Sequence, residues 1–146
     1  MMARQTWAPT IKAQGAFYQP TGTGRWAAID PADIGAVAVK ALTNAGHAGK
    51  AYTLTGPESL DAAGYAAILA RVLGTPVHFV DVPPEAARQG MLGSGMPAGY
   101  VDALLNLLAT MKAGGTDVVT HTVAQLLGRD PGTFEAWATR HAAVFR

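Results

Sequence analysis

Asp30 and Asp33 are the first pair of groups whose types and spacing could do chemistry. Two carboxylates at one helix start can divide proton-transfer work between them. Their setting points to architecture instead. A short apolar run, residues 26–29, ends at Asp30. Pro31 follows, and it suits the first helical position, where no N–H is needed. Asp30 can accept from the free N–H groups of that first turn, and Asp33 sets negative charge at the positive end of the helix dipole. Both carboxylates are read as structural, with no catalytic role.

Other constellations are sparse. Gly22-Thr23-Gly24-Arg25-Trp26-Ala27 has the spacing G-x-G-x-x-A. A dinucleotide site needs such glycines between a strand and a helix whose N-terminus holds the pyrophosphate. Here the segment after Gly24 is strand-like, so the run reads as a hairpin turn. No G-x-x-x-x-G-K-[ST] occurs. The serines, Ser59 and Ser94, lie outside any G-x-S-x-G, and Gly93-Ser94-Gly95 reads as a hinge. His47, His78, His121 and His141 form no H-x-x-x-H or H-E-x-x-H, so a metal site has no local support.

The aromatic and methionine residues are more informative. Phe17 and Tyr18 end one strand, while Met91, Met96 and Tyr100 flank the glycine-rich break. Adaptable thioethers and amphipathic tyrosines beside flexible backbone suit an apolar ligand cleft. The plainer reading of the same residues is simple core packing. Trp26, Trp137, Phe134 and Phe145 are read as core or interface anchors.

Periodicity and turn chemistry supply the elements that position these groups. Residues 1–10 are ambiguous, with 3–9 compatible with the tail of a helix. Strands are predicted over 11–18 and 26–29, paired as a hairpin about the turn at 21–24. A helix spans 31–43 and stops near Asn44 and Gly46. Residues 51–55 form a strand broken by Gly56-Pro57. Ser59 caps a helix over 60–73, which Gly74 and Pro76 end. A strand over 77–82 leads to a helix over 84–92, and the break at 93–97 precedes a strongly apolar helix over 98–112. Helices over 122–127 and 133–145 flank the turn 128–132. The order describes a mixed α/β chain whose C-terminal third is helical.

Composition sets the bounds. The chain has 146 residues, 49% hydrophobic and only 14% charged, enough for one core and opposite to the balance of a disordered chain. The 11 basic and 10 acidic side chains give a net charge of +1 and are scattered, so contact with nucleic acid is not expected. There is no cysteine, which excludes disulfides and thiol catalysis and is compatible with a cytoplasmic location. No apolar stretch reaches the roughly 18 residues of a membrane span.

Four stretches together resemble one family. Residues 26–38, WAAIDPADIGAVA, resemble the hxhhDxxDIAxVA segment of NmrA-like proteins, which are atypical short-chain dehydrogenases. Residues 49–60, GKAYTLTGPESL, resemble their GxxYxLTGPExL. Residues 72–83, with Val72-Leu73-Gly74 leading into Val77 to Pro83, resemble hLGxxhxhhxVP. Residues 126–134, LLGRDPGTF, resemble the closing hTGRxPxTF. The order and spacing agree over about residues 11–145.

The resemblance implies a partial Rossmann-like α/β fold: one domain over residues 1–146, equivalent to the C-terminal, substrate-side half of such proteins. Tyr52–Thr55 would be an edge strand of the large sheet, and the helical third a lid. Phe17, Tyr18, Met91, Met96 and Tyr100 would fall near the substrate cleft. The phosphate-binding glycines lie in a nucleotide-binding half absent from this sequence, so no cofactor is expected for this chain alone, whereas complete members use NAD(P). The Tyr-x-x-x-Lys pair of short-chain dehydrogenases is also missing. Two readings follow: the ligand-binding half of an NAD(P)-dependent oxidoreductase for a small apolar or aromatic molecule, or a non-catalytic ligand-binding, redox-sensing or interaction module. The faces that would meet the absent half imply a homodimer.

Overall fold

The computed structural model describes residues 6–146, and residues 3–5 of the expected first helix lie outside it. Helix α1, Ala8–Gln14, comes first. It absorbs the front of the strand expected over 11–18, because Ala8 and Ile11 sit one helical turn apart and both face the core. Gly15 ends it at φ 64°, its N–H donating to the carbonyl of Ile11 at 2.8 Å. Strand β1, Ala16–Gln19, follows at once.

The expected hairpin does not form. Strand β2 is Arg25–Trp26, and it pairs antiparallel with β3, Leu60–Asp61. Strand β1 pairs in parallel with β4, His78–Asp81, in the register Phe17↔Phe79 and Tyr18↔Val80. The turn between β1 and β2 leads away from β1 because Gly24 is pressed against the chain at Met111. A Cβ there would sit 2.3 Å from the Met111 carbonyl oxygen.

Helix α2 spans Pro31–Thr43 with Asp30 as its cap, Oδ1 accepting from the Ala32 N–H at 3.0 Å. Asn44 beyond it is extended, and Gly46 supplies the left-handed residue at φ 89°. Residues 51–55 take no regular secondary structure and join no ladder among the described residues, contrary to the strand expected there. Their polar groups are met instead from residue 120. Thr120 Oγ1 donates to the Thr53 carbonyl at 3.0 Å, and the Thr120 N–H donates to Thr55 Oγ1 at 2.9 Å.

Helix α3, Ala62–Leu73, is capped by Asp61 rather than Ser59. Pairing with β2 holds residues 60–61 extended, so the helix starts later. Ser59 Oγ donates to Asp117 at 2.6 Å instead. Helices α4, Pro84–Gly93, and α5, Ala98–Lys112, make a hairpin about the glycine-rich break. Helix α6 is Thr122–Leu127 and α7 is Phe134–Arg140. The last helix is shorter than expected: after His141 the chain tightens to a 3-10 turn, Ala142–Phe145.

The main core surrounds α3. Trp7 stacks on Phe17 at 4.2 Å, and Tyr65 meets Phe134 edge to face at 4.7 Å. Phe134 and Trp137 complete it, with Phe145 closing the far side. Each such ring is worth about 2–3 kcal/mol in burial. A second, small cluster of Leu104, Leu108 and Met111 belongs to α5, and Trp26 packs against both. No helix among the described residues is long and apolar enough to cross a membrane.

Candidate functional site

A cleft of about 390 Å³ opens between α1, the end of β1 and α4. Thr6, Pro9 and Thr10 form one wall. Tyr18 and Val82 form the floor, on the outward-facing side of the β1/β4 pair. Helix α4 supplies the other wall through Ala86, Ala87, Gly90 and Met91, and Ser94 and Met96 close the rim. The small residues Ala86, Gly90 and Ser94 recur every four positions, so one face of α4 is shaved flat. That spacing is the sequence signal for this wall.

Among the described residues, no charged side chain lines the cleft. Its polar groups are the hydroxyls of Thr6, Thr10, Tyr18 and Ser94. The Tyr18 hydroxyl donates to Gln14 Oε1 at 2.6 Å, which orients the ring. Thr10 Oγ1 is tied to the Trp7 carbonyl at 3.1 Å, and Ser94 Oγ to the Met91 carbonyl at 2.7 Å. Helix α4 buries none of its residues, so this wall rests on the molecule lightly.

The structure divides the five residues expected near a cleft. Tyr18, Met91 and Met96 line it. Phe17 points the other way, since neighbours on a strand alternate, and is fully buried against Trp7 and Phe79. Tyr100 is 54% exposed on α5 and lies outside the lining.

The two carboxylates perform the structural work expected of them, with partners that spacing did not reveal. Asp33, only 2% exposed, accepts from Arg129 at 2.6 Å through Oδ1 and from the Gly132 N–H at 2.7 Å through Oδ2. Asp30 Oδ2 accepts from Arg140. Tyr65 is a further unforeseen joint. Its hydroxyl donates to the Trp26 carbonyl at 2.6 Å and accepts from the Ala28 N–H at 2.9 Å. Burial pushes this phenol up to about 12, against the lowering effect of the Ala28 hydrogen bond.

The histidines stay apart. His47 Nδ1 lies 2.7 Å from the Tyr52 hydroxyl, and His141 Nδ1 lies 2.8 Å from the Trp137 carbonyl. His78 and His121 are exposed. Among the described residues no group of three or more His, Asp and Glu could hold a metal ion.

The glycine turn does not fit a pyrophosphate. The Gly22 N–H, which a phosphate would need, donates to Asp81 Oδ1 at 2.9 Å. Asp81 also pairs with Lys112 at 3.6 Å, so a carboxylate already occupies the concave side. Strand β2, and not a helix, follows the turn in the chain.

No family model matches the chain. An NAD(P)H azoreductase of Xenophilus azovorans is 42% identical over 139 residues, which are 95% of this chain and 49% of that protein. A (4-alkanoyl-5-oxo-2,5-dihydrofuran-3-yl)methyl phosphate reductase of Streptomyces griseus is 37% identical over 140 residues, 96% of this chain and 49% of that protein. The crystal structure of an NADPH-dependent quinone oxidoreductase from Escherichia coli, complexed with NADPH, matches with a TM-score of 0.84 at 26% identity. It covers 97% of this chain and 50% of that one. The fold is thus part of a Rossmann-like α/β reductase fold. The chain is homologous to NAD(P)H-dependent reductases and spans about half the length of the curated relatives it matches.

Proposed function

We propose that this chain is the substrate-side half of an NmrA-like, NAD(P)H-dependent reductase, and that its cleft holds a neutral apolar or aromatic molecule. The observation that carries the reading is the lining: among the described residues it is thioethers, methyl groups and a tyrosine ring, with hydroxyls but no charge. A volume of about 390 Å³ falls in the ordinary range for small-molecule sites. An anion or a cation would lose its hydration there without finding a counter-charge. A flat, uncharged ring system gains by burial and by contact with the Met91 and Met96 sulfurs.

The part this chain plays is to bind, desolvate and orient. The redox chemistry belongs to a nicotinamide held elsewhere, because the Gly22–Gly24 turn is closed by Asp81. The relatives named for azo and quinone reduction support the same substrate class.

Titrating the 146-residue chain with a quinone and with an aromatic aldehyde, read by thermal shift and calorimetry, tests the cleft. Saturable binding is expected for at least one of them, and Ala87→Asp, which plants a charge in the wall without touching the core, should weaken it tenfold or more. Equal binding by that variant, or no binding of either probe, overturns the site. Saturable NADPH binding by the chain alone overturns the placement of the nicotinamide elsewhere.

A further inference from the structure

The polarity of the cleft depends on where its hydroxyl protons go. A hydroxyl has one proton to donate and two lone pairs that accept. Among the described residues four hydroxyl side chains line the cleft, and three of them give that proton to a group of the protein. Tyr18 donates to Gln14 Oε1 at 2.6 Å, Thr10 Oγ1 to the Trp7 carbonyl at 3.1 Å and Ser94 Oγ to the Met91 carbonyl at 2.7 Å. A carbonyl oxygen, of a side-chain amide or of the backbone, has no proton to return. These three oxygens can therefore meet a ligand only as acceptors.

Tyr18 is the principal one of the three. Its ring lies on the cleft floor and is 41% exposed, and its bond to Gln14 is the shortest of the set. Gln14 is the last residue of α1, exposed and outside the lining, so it takes the Tyr18 proton without itself meeting the ligand space. Thr10 and Ser94 each bond a carbonyl three residues back in the chain, which fixes their protons in the same sense.

A ligand that only accepts, such as a quinone, sets lone pairs against lone pairs at these oxygens and gives up water without replacing it. A ligand carrying O–H or N–H donors replaces that water. We infer that the cleft selects donor-bearing aromatic molecules, namely phenols, diols and aromatic amines, over their acceptor-only counterparts, with Tyr18 as the specificity-determining acceptor and Gln14 as the residue that positions its proton. This rests on the reading of the cleft as the site for a neutral aromatic molecule. For a redox pair the selection has a direction. A quinone that takes up two electrons and two protons, the electrons coming from the nicotinamide of that reading, becomes a diol, and each acceptor carbonyl becomes an O–H donor. The cleft therefore holds the reduced form more tightly than the oxidised one and draws the bound pair toward reduction. A tenfold preference corresponds to about 30 mV for such a two-electron couple.

The test is anaerobic calorimetric titration of the 146-residue chain with 1,4-naphthoquinone and with 1,4-dihydroxynaphthalene. The chain has no cysteine, so the quinone has no thiol to add to. The diol is expected to bind about tenfold more tightly than the quinone. Tyr18→Phe keeps the ring and removes the acceptor, and it should bring the two affinities within about twofold of each other. Gln14→Ala frees the Tyr18 proton for a ligand carbonyl, so quinone affinity should rise and the preference shrink. Gln14→Glu still accepts from Tyr18 and should retain the preference. Both positions are exposed, so the variants should melt with the parent. Equal affinities in the parent, or a preference that survives either Tyr18→Phe or Gln14→Ala, overturn the inference and leave the apolar cleft standing. If neither probe saturates, or if Ala87→Asp binds both as tightly as the parent, the cleft reading falls and the inference falls with it.

Discussion

Arg129 donates to Asp33 at 2.6 Å across 96 residues of sequence. Arg140 reaches Asp30 on the same helix start, and the Gly132 N–H reaches the second oxygen of Asp33 at 2.7 Å. Gly132 packs closely here, since a Cβ would lie 3.1 Å from Asp30 Oδ2. Two segments far apart in the chain, residues 30–33 and residues 129–140, are thus one lock. It binds the first turn of α2 to the loop before α7 and to the end of α7 itself. A guanidinium suits the task because its planar donors match carboxylate geometry.

Breaking the lock should cost stability and leave ligand binding alone. Arg129→Met strands a buried carboxylate with one partner fewer, and the expected loss is roughly 2–4 kcal/mol in urea denaturation. Asp33→Asn should lose somewhat less, because the amide can still accept from Gly132. Neither change touches the cleft, so quinone affinity measured on the folded fraction should stay within twofold. A selective loss of affinity with unchanged stability would assign these carboxylates to the site instead.

Tyr65→Phe removes a hydroxyl that serves both the Trp26 carbonyl and the Ala28 N–H. Leaving two buried groups unpaired should cost about 2–3 kcal/mol. The same phenol gives a pH signature. Its folded value of about 12 lies above the ordinary 10, so its neutral form is favoured by folding. The associated stability is fully present below about pH 10 and is lost as pH rises toward 12, at up to about 1.4 kcal/mol per pH unit. Melting curves between pH 9 and 12 should show this fall in the parent, and a shallower one in Tyr65→Phe.

Two glycines should respond in opposite directions. At Gly56 a Cβ would stand 2.1 Å from the Ala28 carbonyl oxygen, so Gly56→Ala forces apart the contact in which the Gly56 N–H donates to the Ala27 carbonyl. A loss of several kcal/mol, or failure to fold, is expected. At Gly35 the added Cβ meets open space inside a helix, so Gly35→Ala should raise the melting temperature of the chain alone, by about 0.5–1 kcal/mol of stability.

Phe17 and Tyr100 separate core from cleft. Phe17→Ala empties a site packed by Trp7 and Phe79 and should cost about 3–5 kcal/mol. Tyr100→Ala lies on an exposed face and should change stability by less than about 0.5 kcal/mol and quinone affinity by less than twofold. A large loss of affinity from Tyr100→Ala would draw α5 into the site.

Much of the helical framework was legible. The bounds of α2, α5 and α6 follow from Asp30-Pro31 and from apolar periodicity, which are local signals. Gly74 and Gly128 end their helices with left-handed backbone as glycines there should. The strands were less legible because pairing is not local. Residues 11–14 have the composition of a strand and fold as a helix, since the core contact of Ala8 and Ile11 decides. Two residues of the break at 93–97, Ser94 and Met96, lie at the rim of the cleft. The α1 wall could not be anticipated, because nothing in the sequence says that Pro9 and Thr10 face Gly90.

The amino-acid sequence by itself determined the α/β character, the capped helix at Asp30, the lack of thiol chemistry and the resemblance to a reductase family. These depend on neighbours within a turn or on patterns read in order along the chain. Only the tertiary structure decided that β1 pairs with β4, that Phe17 turns inward while Tyr18 turns to the cleft, and that Asp81 closes the glycine turn. It alone showed that Ile34, Val39 and Leu42 of α2 stand exposed. The physical reason is range. Caps and periodicity act over a few residues, whereas strand partners, buried ion pairs and clefts are made by segments that meet only after the core has formed.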